Sequence, residues 1–249
     1  MRLDKFLSAR TMYSRRELHQ MILKNCVVLN GIPAKKPDAS VSPDDIVTLN
    51  GIEVPSSTFL SILLNKPRGY VCSANEPGQK LAIDLIPLTL RRKNLQPVGR
   101  LDKDSTGMLL FTDDGQLAHQ IISSRSHTPK YYHVTLARPW EPVYADAIAA
   151  GITLKDGTPC LPAHAEPLPG HPCEMLICLQ EGKYHQVRRM MASLGNHVDA
   201  LARIAIGSLP LPENLPVGGW MVLEVQDVQK ILKNQSDFSS LLQILRKNS

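Results

Sequence analysis

The sequence predicts an α+β protein of two unequal domains, and three features of the chain carry this prediction. With 249 residues and 43% hydrophobic content, the chain is long enough for one or two hydrophobic cores. Short apolar or alternating runs, typical of strands, are interspersed with segments of helical periodicity. A short, polar, proline-marked segment at residues 54–58 divides the chain. We therefore expect a small domain over residues 1–54 and a larger one over residues 59–249.

The first 50 residues predict two short helices followed by strands with tight turns. Apolar residues recur at helical spacing in two runs, Leu3, Phe6 and Leu7 and then Leu18, Ile22 and Leu23. Ser14 and Glu17 match a capping box at the start of the second helix. Residues 27–29 and 46–49 have the composition of strands, and each run is followed by Asn-Gly, the dipeptide that favours a type I′ turn.

Beyond residue 58 the pattern predicts a mixed, mostly antiparallel sheet with flanking helices. The predicted strands are residues 59–64, 108–111, 131–136 and 175–179, and the predicted helices are residues 117–122, 143–150, 187–194 and 225–245. Gly151 and Gly195 stand where helix C-caps belong. The irregular strand spacing and the lack of a βαβ phosphate loop favour this arrangement over a doubly wound parallel sheet.

The charge balance favours a polyanionic partner. Lys and Arg total 28 against 23 Asp and Glu, a net charge of +5. The first 50 residues hold 8 basic and 5 acidic residues, so they contribute +3 of that +5. Six of these basic residues are expected on one phosphate-binding face: Arg10, Arg15, Arg16, Lys24, Lys35 and Lys36. The alternative interpretation of the same residues is an ordinary solvated surface.

Several protein classes are disfavoured by the composition. The apolar runs fall far short of the about 20 residues that a membrane helix needs, and the N-terminus does not resemble a signal peptide. Five cysteines are scattered without a C-x-x-C pair, which favours reduced thiols in the cytoplasm. The cysteines and histidines of residues 160–178 lack the paired spacing of zinc motifs, so we expect no metal. A soluble, cytoplasmic protein is the expectation.

The densest group of special residues is the loop at residues 99–107, G-R-L-D-K-D-S-T-G. In extended backbone Arg100 and Asp102 would face the same side, where the guanidinium would hold the carboxylate ionised. An ionised aspartate can act as a nucleophile or a base. A structural salt bridge that caps a turn is the alternative. Asp104, which precedes Ser-Thr-Gly, is expected to bond backbone amides of the turn.

The motifs resemble a known family over nearly the whole chain. R-L-D-K-F-L-S, S-R-R-E-L and V-x-L-N-G, in that order, resemble the small RNA-binding module first described in the fourth protein of the small ribosomal subunit. L-N-K-P-R-G-Y at residues 64–70, the loop motif extended to residue 115, K-Y-Y, G-K-Y-H-Q-V-R-R-M and V-x-x-L-x-R-x-x-I-G follow in order. Together they resemble pseudouridine synthases of the RsuA branch.

This resemblance implies a site, with each role transferred to the matching position. It makes Asp102 the catalytic aspartate and Tyr132 the active-site tyrosine. Arg188 is the cation expected to pair with Asp102, and Lys183 is the second choice. The resemblance further implies that Arg100 helps to open the RNA and that Leu201 lines the uracil pocket. Helical spacing turns residues 187, 190, 191 and 194 to the core, which leaves Lys183 and His185 able to contact the substrate. A packed or capping histidine is the alternative for His185. The chemistry requires no cofactor, and the sequence leaves open whether Asp102 attacks the sugar carbon or removes a neighbouring sugar proton.

The resemblance also implies a substrate. The Y-H-Q-V and G-N-H-V segments are similar to the enzymes that modify small-subunit (16S) ribosomal RNA, so we expect a monomer that acts on a partly assembled small subunit, away from membranes. Ala202 and Ala205 stand where that subgroup is expected to have histidine and arginine, which predicts two lost polar contacts near the site. The alternatives are a large-subunit ribosomal RNA synthase and a non-catalytic RNA-binding assembly factor.

Overall fold

The computed structural model describes residues 1–73, 75–123, 127–233 and 238–248; for residues 247 and 248 it describes the backbone alone. The N-terminal unit has its own apolar core, whose members run from Leu3 to Val54. Its elements are α1 (Leu3–Arg10), α2 (Arg15–Leu23), β1 (Val27–Leu29), β2 (Ile32–Pro33), β3 (Val47–Leu49) and β4 (Ile52–Glu53). The four strands form an antiparallel sheet in the order β2-β1-β3-β4.

The local signals in this unit are confirmed. The Ser14 side chain accepts a hydrogen bond from the Glu17 amide, and the Glu17 carboxylate accepts one from the Ser14 amide, which completes the capping box. Both Asn-Gly turns have positive φ at both positions, as a type I′ turn requires: 51° and 80° after β1, and 53° and 77° after β3.

The larger unit is built on a second sheet. Its strands are β5 (Ser61–Lys66), β6 (Tyr70–Val71), β7 (Lys80–Leu81), β8 (Gln96–Val98), β9 (Thr106–Thr112), β10 (Lys130–Leu136), β11 (His164–Leu168), β12 (His171–Leu179), β13 (Val198–Ile206), β14 (Leu209–Pro210) and β15 (Trp220–Val222). The helices are α3 (Gly115–Ile122), α4 (Val143–Ala150), α5 (Gln186–Ser193), α6 (Val225–Leu232) and α7 (Phe238–Asn248), with a 3₁₀ turn at Ala82–Leu85.

The main sheet is mixed and mostly antiparallel, as predicted. Its strand order is β11-β12-β10-β13-β9-β5-β15, with β14 beside β13 and β8 beside β9. Among the strand pairings of the described residues, only that of β13 with β9 is parallel within this sheet, and β6 and β7 form a separate parallel pair. This parallel pairing places β9 beside β13. The segment that precedes β9, residues 99–105, contains Asp102 and is called the Asp102 loop.

Helices cover both faces of the sheet. On one face, α4 and α5 pack against alternate residues of the central strands, including Tyr132, Val134 and Leu201. On the other face, α3 and α6 cover Leu63 and Leu110, while α7 covers Tyr131 and neighbouring residues. None of the helices described is both long and apolar enough to cross a bilayer.

The segment at residues 54–58, here called the linker, is firmly held. The buried Arg92 side chain donates hydrogen bonds to the carbonyls of Pro55 at 3.3 Å, Ser57 at 3.1 Å and Thr58 at 2.8 Å. It also forms an ion pair with Asp113 at 3.0 Å. From the N-terminal unit, Arg10 donates to the carbonyl of Ser56 at 2.8 Å. Side chains of both units therefore donate hydrogen bonds to consecutive carbonyls of the same segment.

Candidate active site

The Asp102 loop connects β8 to β9 and is anchored from below by Lys66. Lys66 has no solvent-exposed surface, and its ammonium lies 3.0 Å from the carbonyl of Asp102 and 2.7 Å from that of Ser105. Two further carbonyls, of Pro67 at 3.2 Å and Lys103 at 3.4 Å, share the same donor group. Burial lowers the pKa of Lys66 below its ordinary value. These contacts fix the loop backbone at Asp102 and just after it.

The Asp102 carboxylate faces the N-terminal end of α5. Its Oδ1 lies 3.2 Å from Nε2 of His185, and its Oδ2 lies 3.9 Å from Nε of Arg188. The side chain is 24% exposed, so a substrate can reach it. The carboxylate is thus oriented by two side chains and still open to solvent.

Arg188 bridges three parts of the site. Its Nη2 donates to Oδ2 of Asp104 at 2.8 Å, and its Nη1 donates to the carbonyl of Val198 at 2.7 Å. Its Nε is buried and makes no hydrogen bond within the described part of the chain. That N–H stands at ion-pair distance from Asp102, so a small movement of either side chain would form a hydrogen bond.

Two expectations about this loop are wrong. The exposed Arg100 takes part in none of the ion pairs seen among the described residues, because the backbone between β8 and β9 is not an extended strand. Asp104 binds the guanidinium of Arg188 and makes none of the described hydrogen bonds to turn amides. Asp104 is therefore the carboxylate closest to Arg188, at 2.8 Å, and not a residue that bonds the turn amides.

Helix α5 presents its residues as the sequence spacing predicts. Val187, Met190 and Met191 are buried in the main core, and this leaves Arg188 on the side of Asp102. The residue before the helix, His185, has φ 48° and ψ 37°. This left-handed conformation is uncommon outside glycine, and strained backbone of this kind concentrates at functional sites.

Lys183, the second choice for the partner of Asp102, points elsewhere. Its ammonium pairs with the carboxylate of Glu181. Burial raises the pKa of Glu181, but hydrogen bonds from Lys183, Leu161 and Gln186 outweigh that effect and leave the pKa below its ordinary value. Of the two cations, the structure therefore places Arg188 beside Asp102.

Tyr132 and Leu201 lie in the main apolar cluster of the larger unit. They are 8% and 7% exposed, and the same cluster contains Leu101 and Val187, the residues that precede Asp102 and Arg188. A tyrosine ring provides a flat, apolar surface, which suits a planar base.

With this geometry in view, two family models match the chain. One, described as RNA pseudouridylate synthase, matches residues 61–193, and the other, the S4 domain, matches residues 1–47. The chain belongs to the RNA pseudouridylate synthase family. Its larger unit is a pseudouridine synthase domain, and its N-terminal unit is an S4 domain.

Relatives of this synthase match over almost their full lengths. A protein of Pasteurella multocida named ribosomal small subunit pseudouridine synthase A is 38% identical over 92% of this chain and 98% of its own. The protein of the same name from Haemophilus influenzae is 37% identical over 94% and 100%, respectively. A solved structure, titled as a pseudouridylate synthase, is 35% identical, with a TM-score of 0.64 over 93% of this chain and 99% of its own.

Like Lys66, two further buried cations of the synthase were not predicted from the sequence. Arg203 is 1% exposed, its Nε donates to the carbonyl of Met108 at 2.7 Å, and its Nη2 is buried without a hydrogen bond to any described residue. Lys130 donates to the carbonyls of Ile121 at 3.2 Å and Thr128 at 3.0 Å. Burial, with a smaller effect from Arg203, lowers the pKa of Lys130 to about 8. The available signal was their place inside two motifs, K-Y-Y and V-x-x-L-x-R.

Ala202 and Ala205 do not lie on the face of this synthase's sheet that carries Tyr132 and Leu201. Ala202 pairs with His133, whereas the adjacent Leu201 pairs with Val134, so the two residues point to opposite faces. Ala205 is fully buried in the cluster that α7 covers. The expectation that they remove polar contacts near the site is wrong.

The six basic residues expected on the phosphate-binding face divide into two groups. Five are exposed: Arg15, Arg16, Lys24, Lys35 and Lys36. Arg10 is half-buried, lies over the Phe6 ring at 4.4 Å and binds the linker, so it supports the junction between the units instead of the exposed face. Among the described residues, no three His, Cys, Asp or Glu side chains are grouped as metal ligands.

Proposed function

We propose that this synthase isomerises one uridine of small-subunit (16S) ribosomal RNA to pseudouridine in the cytoplasm, with Asp102 as the catalytic carboxylate. The observation that carries the proposal is the Asp102 carboxylate itself: it is reachable from solvent and contacts both His185 and Arg188. The small-subunit substrate is supported by the names of the relatives, which cover nearly the whole chain.

The reaction breaks the bond from ribose to a ring nitrogen, turns the detached uracil and joins the same sugar carbon to a ring carbon. Asp102 serves as the group that attacks the sugar carbon or removes a neighbouring sugar proton. The Arg188 guanidinium attracts the carboxylate and helps to hold it in one orientation. The anchored loop keeps the carboxylate in place between the two halves of the reaction.

The detached uracil has to remain captive while it turns. In this proposal Tyr132 stacks on the uracil and Leu201 lines the same pocket; both belong to the apolar cluster that contains Leu101, the residue before Asp102. The phenol hydroxyl of Tyr132 is available to assist the loss of the ring proton. Arg100, which is exposed beside Asp102 in the sequence, and Lys183 are proposed to contact the surrounding RNA.

Residues 1–54 are proposed to act as the RNA-binding domain and residues 59–249 as the catalytic domain. The five exposed basic residues of the first domain provide the phosphate contacts. A target base inside folded RNA has to be flipped out at a cost of a few kcal/mol, which such contacts offset.

The test uses pseudouridine mapping. Ribosomal RNA from cells with and without the gene is mapped, and small ribosomal subunits from the deletion strain are treated with the purified protein. We expect one pseudouridine in 16S RNA that depends on the gene and is restored by the wild-type protein. Loss of a pseudouridine from 23S RNA instead would assign the enzyme to the large subunit, and no change in either RNA would contradict the proposal.

The role of Asp102 is tested with Asp102→Asn in the same assay. The amide keeps the shape of the side chain but has no charge, so we expect no pseudouridine and nearly unchanged RNA affinity. Full activity of this variant would refute the assignment.

A further inference from the structure

Tyr184 is a large aromatic residue that the fold leaves exposed next to the site. It is 76% exposed, more than any other large hydrophobic or aromatic residue among those described. Its ring lies parallel to the imidazole of His185, with the centroids 3.9 Å apart and the planes at 15°. The imidazole in turn contacts Asp102 at 3.2 Å. Tyr184 is therefore two contacts away from the proposed catalytic carboxylate.

The ring is held in this exposed position by its backbone. The left-handed conformation of His185 sets the direction in which the two rings leave the chain. The carbonyl of Tyr184 accepts a hydrogen bond from Nη1 of Arg189 at 3.3 Å. A freely exposed tyrosine needs neither feature, and the exposure of so much apolar surface gains nothing for the folded state.

An exposed aromatic ring on a segment rich in basic residues suits RNA bases. Single-stranded RNA is recognised by bases stacked on aromatic rings, with cations contacting the backbone. Lys183, Arg188 and Arg189 lie within five residues of Tyr184. When a uridine leaves its helix, its neighbours lose a stacking partner, and a ring beside the site can replace that partner.

We infer that Tyr184, backed by the imidazole of His185, stacks on a base next to the target uridine and positions the RNA for Asp102. The residue acts as a positioning residue, because the reacting atoms lie at Asp102 and not at Tyr184. This inference rests on the proposed function, since it needs an RNA substrate in the same cleft.

Kinetics on small ribosomal subunits from the deletion strain test the ring. Tyr184→Leu removes the aromatic face, so we expect KM to rise about tenfold with kcat little changed, in line with the value of stacking on a single base. Tyr184→Phe keeps the face and should behave as wild type. Phe59→Leu, which removes another exposed ring at the linker, is the control and should have no effect. Wild-type kinetics for Tyr184→Leu, or an equal defect in Tyr184→Phe, would overturn the inference.

A spectroscopic readout separates this inference from the proposed reaction. In the full-length Tyr184→Trp variant, the added indole should lose fluorescence when unmodified 16S RNA is titrated in, while the wild type, with Trp140 and Trp220 only, should change little. Quenching without pseudouridine formation by the wild type would support base stacking and contradict the proposed function. Pseudouridine formation without quenching would overturn the stacking inference and leave the proposed function standing.

Discussion

Three acceptors surround the guanidinium of Arg188, and only two of them are hydrogen-bonded. Asp104 and the carbonyl of Val198 accept hydrogen bonds from its two terminal nitrogens, whereas Oδ2 of Asp102 lies 3.9 Å from Nε. A lysine in this place would keep the charge but has no planar fork, so it cannot serve these acceptors at once. The geometry therefore depends on arginine and not on positive charge alone.

We predict that Arg188→Lys lowers kcat about 10- to 100-fold, the effect expected when one or two charge-assisted hydrogen bonds are lost. Arg91→Lys is the matched control, because Arg91 pairs with Asp84 away from Asp102 and should tolerate the change. Single-turnover pseudouridine formation measures both variants. Equal rates for Arg188→Lys and wild type would show that charge is sufficient.

Lys130 predicts a pH dependence of stability. Because its folded pKa is about 8 and its ordinary value is 10.5, the unfolded chain binds more protons between these values. The free energy of unfolding therefore rises with pH over this window and gains nothing further above it. The penalty of burying the ammonium is fully present below pH 8.

We expect this rise to disappear in Lys130→Met. The melting temperature of the wild type minus that of Lys130→Met should increase from about pH 8 to about pH 10.5, the window between the two pKa values. Lys155→Met, at an exposed position, should show a constant difference from the wild type over the same range. A constant difference for Lys130→Met as well would mean that its pKa is not lowered.

At the scale of elements, periodicity predicted the helices better than the strand ends. The predicted helix at residues 143–150 is α4 itself, and α5 differs from residues 187–194 by one position at each end. The strand predicted at residues 59–64 is observed at Ser61–Lys66, where every residue is buried. A strand buried on both faces has no alternation to mark its ends. The buried Lys66 lies in the missed part, since lysine is normally exposed.

Other elements gave too weak a signal to be predicted. The two-residue strands β2, β4, β6, β7 and β14 are shorter than any periodicity window. Residues 225–245 were predicted as one helical stretch, whereas the structure has α6 and α7, and residues 234–237 lie outside the described part. The site was predicted residue by residue from motifs, but its contacts, such as Arg188 with Asp104, join residues far apart in sequence.

Gly107 lies near the start of β9, where this strand pairs with Arg203 of β13. Its φ is 94°, and a Cβ at this position would lie 2.3 Å from the carbonyl oxygen of Arg203. Gly78 also has a positive φ, 78°, but a Cβ there would have nothing within 4 Å. A substitution at Gly78 therefore introduces backbone strain alone, whereas one at Gly107 introduces both strain and a steric clash.

We predict that Gly107→Ala lowers the free energy of unfolding by about 3 kcal/mol, from strain and overpacking together, whereas Gly78→Ala costs about 1 kcal/mol from strain alone. Urea unfolding of the two variants measures the difference. Similar losses in both would mean that β9 and β13 separate readily.

At the scale of the whole molecule, Arg92 joins the linker to the catalytic domain by hydrogen bonds. It serves three linker carbonyls and Asp113, a carboxylate that is itself only 11% exposed. Breaking a buried pair of this kind by removing one partner costs about 3–5 kcal/mol. The neighbouring Arg91 carries the same charge without touching the linker in any described contact.

We predict that Arg92→Met lowers the melting temperature and makes residues 54–58 a site of rapid proteolysis, while Arg91→Met changes neither. Limited proteolysis with mass spectrometry of the fragments locates the cleavage. An intact linker in Arg92→Met would mean that Arg10 and backbone packing hold it without Arg92.

Because Arg10 of the S4 domain and Arg92 of the catalytic domain donate hydrogen bonds to consecutive carbonyls of this segment, we expect the S4 domain to hold one position relative to the catalytic domain. Under the proposed function, the S4 domain contacts phosphates and the catalytic domain contacts the target uridine, at a fixed separation. A fixed separation avoids the entropy cost of ordering a flexible hinge on binding. It also rejects any RNA in which those two points are differently spaced, whatever its local sequence.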